Sequence, residues 1–245
     1  YKDDQSNFLF WATKDKQLEL HYCPKNINEI LNKVLFKGNS RIVVTSATLC
    51  SPAQTLEGQY KYISDTIGFE GEFSEPKYSG YDFDKNTRLY IAGDLPDPQH
   101  SKYADSEKYY ECISDRIQEL SQITDGRTLV LFTSKEDLKQ VHQLLLKKTN
   151  RWPILIQKEG SSQASVIEEF RSTQGLLLGT GVFWEGLDIR GDDLSQVIIV
   201  RLPFPVPDPI IEYKMSLSRN PNDEVLLPEM LIRLRQGAGR LIRSE

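Results

Sequence analysis

Between Ser101 and Val200, short apolar runs alternate with longer stretches of helical spacing, and this alternation limits the fold more than any other feature of the chain. The runs are Thr128-Leu129-Val130-Leu131-Phe132, Ile154-Leu155-Ile156, Gly175-Leu176-Leu177-Leu178-Gly179 and Val197-Ile198-Ile199-Val200. Each is apolar at successive positions, the pattern of a strand buried on both faces. The spacing predicts helices over about Ser106–Gln122 and Lys135–Lys148, and from Ser162 or Gln163 to Phe170. Ser134 with Asp137 three residues on resembles a capping box, with Asp in place of the usual Glu or Gln. Strands joined by helices of this length form a parallel sheet with right-handed crossovers. The fold class is α/β.

The earlier part of the chain is less regular. Phe8–Thr13 and Gln17–Tyr22 read as two strands of a hairpin turning at Lys14-Asp15-Lys16, and Pro24 ends the pair. Asn26 is positioned to cap a helix that carries Ile27, Ile30, Leu31, Val34 and Leu35 on one face, and Gly38 stands where it stops. Ile42-Val43-Val44 reads as a buried strand running into Thr45-Ser46-Ala47-Thr48. From Ala53 to Gly93 we expect connecting structure, with a short helix near Tyr60–Ile67 and a short strand at Leu89-Tyr90-Ile91. A domain boundary is expected between Ser51 and Arg88.

A length of 245 residues accommodates one large domain or one and a half smaller ones. The net charge of −5 argues against a generally basic nucleic-acid coat, though not against a local basic groove. No apolar run reaches the length of a membrane span and no signal peptide is visible, so no membrane partner is expected. Cys23, Cys50 and Cys112 lack the short spacings of a zinc, iron–sulfur or dithiol site, and His21, His100 and His142 are equally scattered. We expect reduced cysteines, a cytoplasmic location and no metal site in this stretch. A start at Tyr1, without methionine, leads us to expect a piece of a longer chain.

Four segments with chemical potential follow the carboxyl ends of strands, where open α/β sheets bind ligands. They are Thr45–Leu49, Thr133–Lys135, Gly179–Asp188 and the residues after Val200. In the third, the glycines permit close backbone approach and Thr180 offers a hydroxyl and an N–H to a phosphate. Phe183 and Trp184 either stack on bases or anchor a glycine-rich turn in the core. Glu185 and Asp188 can receive an arginine or a ribose hydroxyl. Ser46 and Thr48 either meet a ligand or cap the next segment. Arg201–Pro209 reads as a rigid proline loop with no catalytic role.

The last segment, Gln236-Gly237-Ala238-Gly239-Arg240-Leu241-Ile242-Arg243, follows a run in which Met230, Leu231 and Leu234 can share a helical face. If that helix continues, Arg240 and Arg243 face the same way and can cradle a polyphosphate. The alternative is an arginine-rich helix end whose charges are solvated or satisfy the last carbonyls. The sequence has no Gly-x-x-x-x-Gly-Lys-Ser/Thr loop and no acidic pair after a strand to hold magnesium. We therefore expect it to be inactive alone and to supply half of a composite nucleotide site, with the arginines as fingers.

Taken together, these segments resemble the motifs of superfamily 2 helicases, in particular the bacterial DinG helicases and their eukaryotic relative XPD. Ser46-Ala47-Thr48-Leu49 is similar to motif III, Leu131–Ser134 to motif IV, Gly179–Asp188 with Leu202-Pro203-Phe204-Pro205 to motif V, and Gln236–Arg243 to motif VI. The resemblance covers the chain from about Ser40 onward. It implies a RecA-like (P-loop NTPase-type) parallel sheet flanked by helices. Residues 1–60 would close the first motor domain and 61–245 would form the second.

The resemblance further implies an ATP-driven motor, using Mg²⁺ held mainly by the first motor domain, that moves 5′ to 3′ on single-stranded DNA. On that mapping Gln236, Arg240 and Arg243 face ATP as the catalytic set. Glu185, Gly186, Asp188, Ser46 and Thr48 couple to the nucleotide, while Thr133, Ser134, Lys135, Thr180, Phe183 and Trp184 line the DNA track. Motifs I, Ia and II, and any iron–sulfur signature, would lie upstream. Three alternatives stand beside this reading. One is a relative fused to a 3′–5′ exonuclease, in which the motor regulates degradation. Another is a degenerate motor that binds DNA without turnover, and the third is an unrelated α/β enzyme.

Overall fold

The computed structural model describes residues 7–14, 17–77, 79–97, 106–148, 151–158, 160–185, 189 and 191–241. The chain divides into two compact units, Tyr1–Ser79 with Phe204–Ile232 and Gly80–Pro203 with Arg233–Glu245.

The first unit opens with the expected hairpin. Strands β1 (Phe8–Lys14) and β2 (Leu18–Pro24) pair antiparallel from Phe8↔Pro24 to Lys14↔Leu18. Phe8, Phe10, Leu18, Leu20 and Tyr22 are exposed. Strict alternation places the residues of the Phe10↔Tyr22 and Ala12↔Leu20 pairs on one face. Helix α1 (Ile27–Leu31) passes into a widened π turn over Asn32–Phe36. Asn26 makes no side-chain cap, and its carbonyl instead accepts from the Ile30 N–H at 3.2 Å.

Helix α2 (Leu56–Ile67) is longer than the sequence suggested. Its start is set by Thr55, whose hydroxyl accepts from the Gly58 N–H at 3.1 Å. Its end is set by Gly68 at φ +70°, where a Cβ would lie 2.1 Å from the Asn28 carbonyl oxygen.

Two expected strands are absent. Residues 41–46 and 87–92 form no ladder, with Val43 87% and Leu89 88% exposed. Three apolar residues become a strand only by exchanging hydrogen bonds with a neighbour, and among the described residues neither segment has one.

The second unit begins with the short helix α3 (Phe83–Asn86), capped by Asp82, and continues into α4 (Ser106–Ile123). Strand β3 (Thr128–Leu131), helix α5 (Lys135–Lys148), strand β4 (Ile154–Ile156), helix α6 (Gln163–Thr173), strand β5 (Leu176–Gly179) and strand β6 (Gln196–Ile199) follow in order. The sheet order is β4-β5-β3-β6 and every pairing is parallel. Ser134 and Ser162 cap α5 and α6, accepting from the N–H groups of Asp137 and Ser165 at 3.2 and 3.1 Å.

Strands β3 and β5 are buried throughout, and alternate residues serve different cores. Val130, Phe132, Leu176 and Leu178 pack with Tyr109, Ile113 and Ile117 of α4 and Val141 and Leu145 of α5. Leu129, Leu131 and Leu177 pack with Val166 and Phe170 of α6 and with Phe183 and Trp184. This explains why the sequence shows continuous apolar runs and no alternation.

Two further α-helices follow among the described residues. Helix α7 (Pro209–Leu217) belongs to the first unit and is capped by Asp208, whose Oδ1 accepts from the Ile210 and Ile211 N–H groups at 2.9 and 2.8 Å. A π turn over Asn222–Leu226 leads into α8 (Leu227–Ala238), whose residues from Arg233 onward belong to the second unit. Within the first unit the Tyr62 hydroxyl donates to Glu229, which also accepts from Lys214 Nζ at 2.9 Å. Among the described residues no helix is long and apolar enough to cross a membrane.

Candidate nucleotide and nucleic-acid edge

In the second unit the carboxyl ends of β3, β5 and β6 form one edge, and the last turn of α8 packs there. The Phe132 N–H donates to the Gly179 carbonyl at 2.9 Å and the Val200 N–H to the Leu131 carbonyl at 3.1 Å, extending the parallel pairing past the formal strand ends. β3 releases Thr133, Ser134 and Lys135, and β5 releases Thr180 and a 3₁₀ turn over Gly181–Trp184. Gly179 permits the turn to double back, since a Cβ there would sit 2.4 Å from Phe183 Cβ.

The aromatic pair is placed differently from the DNA-track expectation. Phe183 and Trp184 are only 2% and 5% exposed, within the core between the sheet and α6. The Trp184 indole N–H donates to the Phe132 carbonyl at 2.9 Å. Neither ring presents a face for base stacking, and the packing alternative holds because a glycine-rich turn at a sheet edge needs an apolar anchor. Thr133, Lys135, Gly181, Val182 and Glu185 are exposed, with Thr180 and Ser134 half-buried. Of these, Thr133, Ser134, Lys135, Thr180 and Glu185 form an accessible polar rim.

The arginine segment also departs from the simple helical picture. α8 ends at Ala238, before Arg240, and the chain tightens. The Gly239 N–H still reaches the Arg235 carbonyl, but Arg240 and Leu241 donate only three residues back, to Gly237 and Ala238, at 3.2 and 3.1 Å. Two glycines within four residues weaken the helix here. Arg240 turns inward, and its Nη2 donates to the Trp184 carbonyl at 3.2 Å. Gln236 Oε1 is buried and, among the described residues, accepts no hydrogen bond. Such an acceptor is costly unless a donor arrives. Arg243, Gly186 and Asp188 lie outside the described residues.

Ser46 and Thr48 belong to the first unit. There the Thr48 N–H donates to Ser46 Oγ at 3.3 Å, the local turn bonding expected of small hydroxyl residues.

A buried polar cluster at the same edge was not legible in the sequence. Arg201, one residue past Val200, places Nη2 3.1 Å from Asp137 Oδ2, and its Nε donates to the Tyr109 hydroxyl at 2.9 Å. The Tyr110 hydroxyl donates to the other Asp137 oxygen at 2.9 Å. Burial and that hydrogen bond push the Tyr110 hydroxyl up to about 12. Burial also raises Tyr109, with Arg201 opposing. Half of the capping box therefore forms, through the Asp137 N–H, while the carboxylate serves Arg201 and Tyr110. The one sequence signal was an arginine at the end of an otherwise apolar strand.

Among the described residues no group of three His, Cys, Asp or Glu side chains is gathered to hold a metal ion.

Comparison with known proteins gives a consistent answer. A family model of helicase C-terminal domains matches residues 117–245. The probable ATP-dependent helicase YpvA of Bacillus subtilis is 33% identical over 246 residues, covering 98% of this chain and 35% of its own length. The 3′-5′ exonuclease DinG of the same species is 34% identical over 236 residues, covering 90% of this chain and 24% of its own. The ATP-dependent DNA helicase DinG of Photobacterium profundum is 30% identical over 265 residues, covering 100% and 36%. The chain thus spans about a quarter to a third of the length of these relatives. A solved XPD helicase shares the fold, with a TM-score of 0.65 at 20% identity over 95% of this chain and 41% of that one. With the parallel sheet and its carboxyl edge already described, the family match shows that the chain belongs to the helicase C-terminal domain family.

Proposed function

We propose that this chain is the carboxyl-terminal motor region of an ATP-dependent DNA helicase of the DinG type. Residues 1–60 would close the first motor domain and 61–245 would form the second. Gln236, Arg240 and Arg243 would face a nucleotide held by the first motor domain, and Thr133, Ser134, Lys135 and Thr180 would line a track for single-stranded DNA. Glu185, Gly186 and Asp188, with Ser46 and Thr48, would couple the two.

The observation that carries this reading is the fixing of Arg240 to the Trp184 carbonyl at the carboxyl edge of a parallel sheet, beside the buried acceptor of Gln236. The described residues fit the phosphate side of a nucleotide and not its metal side, since arginine and glutamine bind phosphate oxygens and water whereas no carboxylate cluster is gathered among them. ATP with Mg²⁺, when bound, supplies a phosphoryl group whose transfer spreads negative charge over oxygens. Arg240 stabilises that charge from a prearranged position. Gln236 Oε1 can accept a hydrogen bond from an attacking water. The polar rim holds a strand through its phosphates, and with both aromatics turned inward it reads backbone and not bases.

Support for a motor partner comes from the first unit, where the exposed apolar hairpin face and the unpaired Ile42-Val43-Val44 segment are surfaces of the kind a sheet or core covers.

The test is ATP hydrolysis by the full-length protein, with and without single-stranded DNA, beside Arg240→Ala. Hydrolysis stimulated by DNA and reduced about 10³-fold or more in the variant, with ATP binding kept, is the expected result. Hydrolysis indifferent to Arg240 refutes the finger role. The likeness to an exonuclease DinG supports a second reading, in which the same motor region regulates degradation by a nuclease elsewhere in the protein. Nuclease activity that responds to Arg240→Ala would select it.

A further inference from the structure

Trp184 makes three contacts with two other parts of the second unit. Its indole N–H holds the Phe132 carbonyl, one residue before Thr133 and the polar rim. Its own carbonyl accepts from Arg240 Nη2. Its six-membered ring lies against Gly237, where an added Cβ would meet Cε3 and Cζ3 at 2.8 Å and Leu131 Cδ1 at 3.1 Å. Ordinary contacts begin at 3.4 Å, so only glycine lets α8 settle this close to the ring. A glycine within a helix is otherwise a poor choice, and its presence three residues before the next arm of the contact, at Arg240, suits a closely set register.

We propose that Trp184 is a positioning residue that sets the register of the Gln236–Arg240 segment against the end of β3, so that the arginine-bearing turn and the Thr133–Lys135 loop move as one body. This rests on the reading of Arg240 as a nucleotide-facing group. The ring acts as a wedge of defined thickness. Its edge spaces α8 from the sheet, its N–H ties it to the nucleic-acid rim, and its carbonyl aims the guanidinium. A change of state at the rim is thereby delivered to Arg240 through packed atoms.

The experiment uses the full-length protein and measures kcat and KM for ATP at saturating single-stranded DNA, together with thermal melting. Gly237→Ala pushes α8 off the ring by several tenths of an ångström, and a misplacement approaching 1 Å is expected to lower kcat by about 10- to 100-fold while KM stays within about twofold. Trp184→Phe vacates the space of the six-membered ring. The pair Trp184→Phe with Gly237→Ala is therefore expected to recover about tenfold in kcat over Gly237→Ala alone. Val166→Ala, on α6 in the same core, is the comparator for stability loss, with kcat within about twofold of the parent. If Gly237→Ala does not fold, Trp184→Phe alone carries the test. A kcat loss of about threefold or more, with no more melting loss than Val166→Ala, supports the proposal, and an unchanged kcat overturns it.

Arg240→Ala separates the two levels. If it abolishes hydrolysis while the paired variant is no more active than Gly237→Ala, or Val166→Ala lowers kcat as much, the positioning role falls and the motor reading stands. If Arg240→Ala hydrolyses ATP at the parental rate, both fall.

Discussion

The Arg201–Asp137 pair gives a prediction whose size can be worked from the structure. The side chains are 19% and 8% exposed, with Nη2 3.1 Å from Oδ2. At that distance, with an effective dielectric of about 20, the direct attraction is about 5 kcal/mol, before desolvation offsets much of it. Arg201→Met removes the attraction and the contact of the guanidinium with the Tyr109 ring, 5.2 Å from its centroid. The Asp137 carboxylate is left buried, with the Tyr110 hydroxyl as its remaining described partner in this cluster.

Breaking a buried pair costs about 3–5 kcal/mol, and the partial exposure of Arg201 sets the expectation at about 3 kcal/mol. For a chain of this size that corresponds to a fall of about 6–12 °C in melting temperature. The assay is urea denaturation of the parent, Arg201→Met, and Arg201→Met with Asp137→Leu. Because most of the loss is the stranded carboxylate, the double variant should regain about 2 kcal/mol over the single one. A single-variant loss below about 1 kcal/mol would show that the pair behaves as a solvated surface pair. A double variant as unstable as the single would show that the loss lies in the packing of the arginine stem and not in the charge left behind.

Two further predictions concern stability. Burial, with the Lys158 charge in second place, lowers the His142 pKa below its ordinary value. The folded chain therefore resists protonation that the unfolded chain accepts, so stability is lost as pH falls below about 6.5, levels off below the folded pKa, and is unaffected above that window. His142→Gln should flatten this part of the profile, and parallel urea midpoints for parent and variant from pH 5 to 7 would refute the assignment. Gly126, at φ +81°, would carry a Cβ 2.2 Å from the Gln174 carbonyl oxygen. Gly126→Ala should lose about 2 kcal/mol or more by denaturation, and a loss under about 0.5 kcal/mol would mean that the Asp125–Arg127 turn relaxes freely.

What was legible in the sequence was local. The hairpin, the β3, β4, β5 and β6 runs, and the starts of α5 and α6 at Ser134 and Ser162 were each readable from a few consecutive residues. A cap, a turn or a doubly buried strand expresses its requirements within one short window. The motif-bearing edge followed from the same logic, because parallel strands joined by helices bring their carboxyl ends together.

What misled was local as well. Ile42-Val43-Val44 and Leu89-Tyr90-Ile91 have the composition of strands, yet remain unpaired because pairing is a property of two segments. The halt of α8 at Ala238 was hinted at by Gly237 and Gly239, but its consequence for Arg240 was not.

By itself, then, the sequence determined the parallel α/β sheet, the order of the motifs and the edge at which the segments after β3 and β5 emerge. Only the tertiary structure decided that Phe204–Ile232 returns to the first unit and that Arg201 closes on Asp137. It also decided that Phe183 and Trp184 face the core, with Gly237 against the Trp184 ring. The first set depends on hydrogen bonding and burial repeated along the chain at fixed periods. The second depends on which distant surfaces meet, and a side chain such as Trp184 has the same chemistry whether its ring meets a base or a glycine.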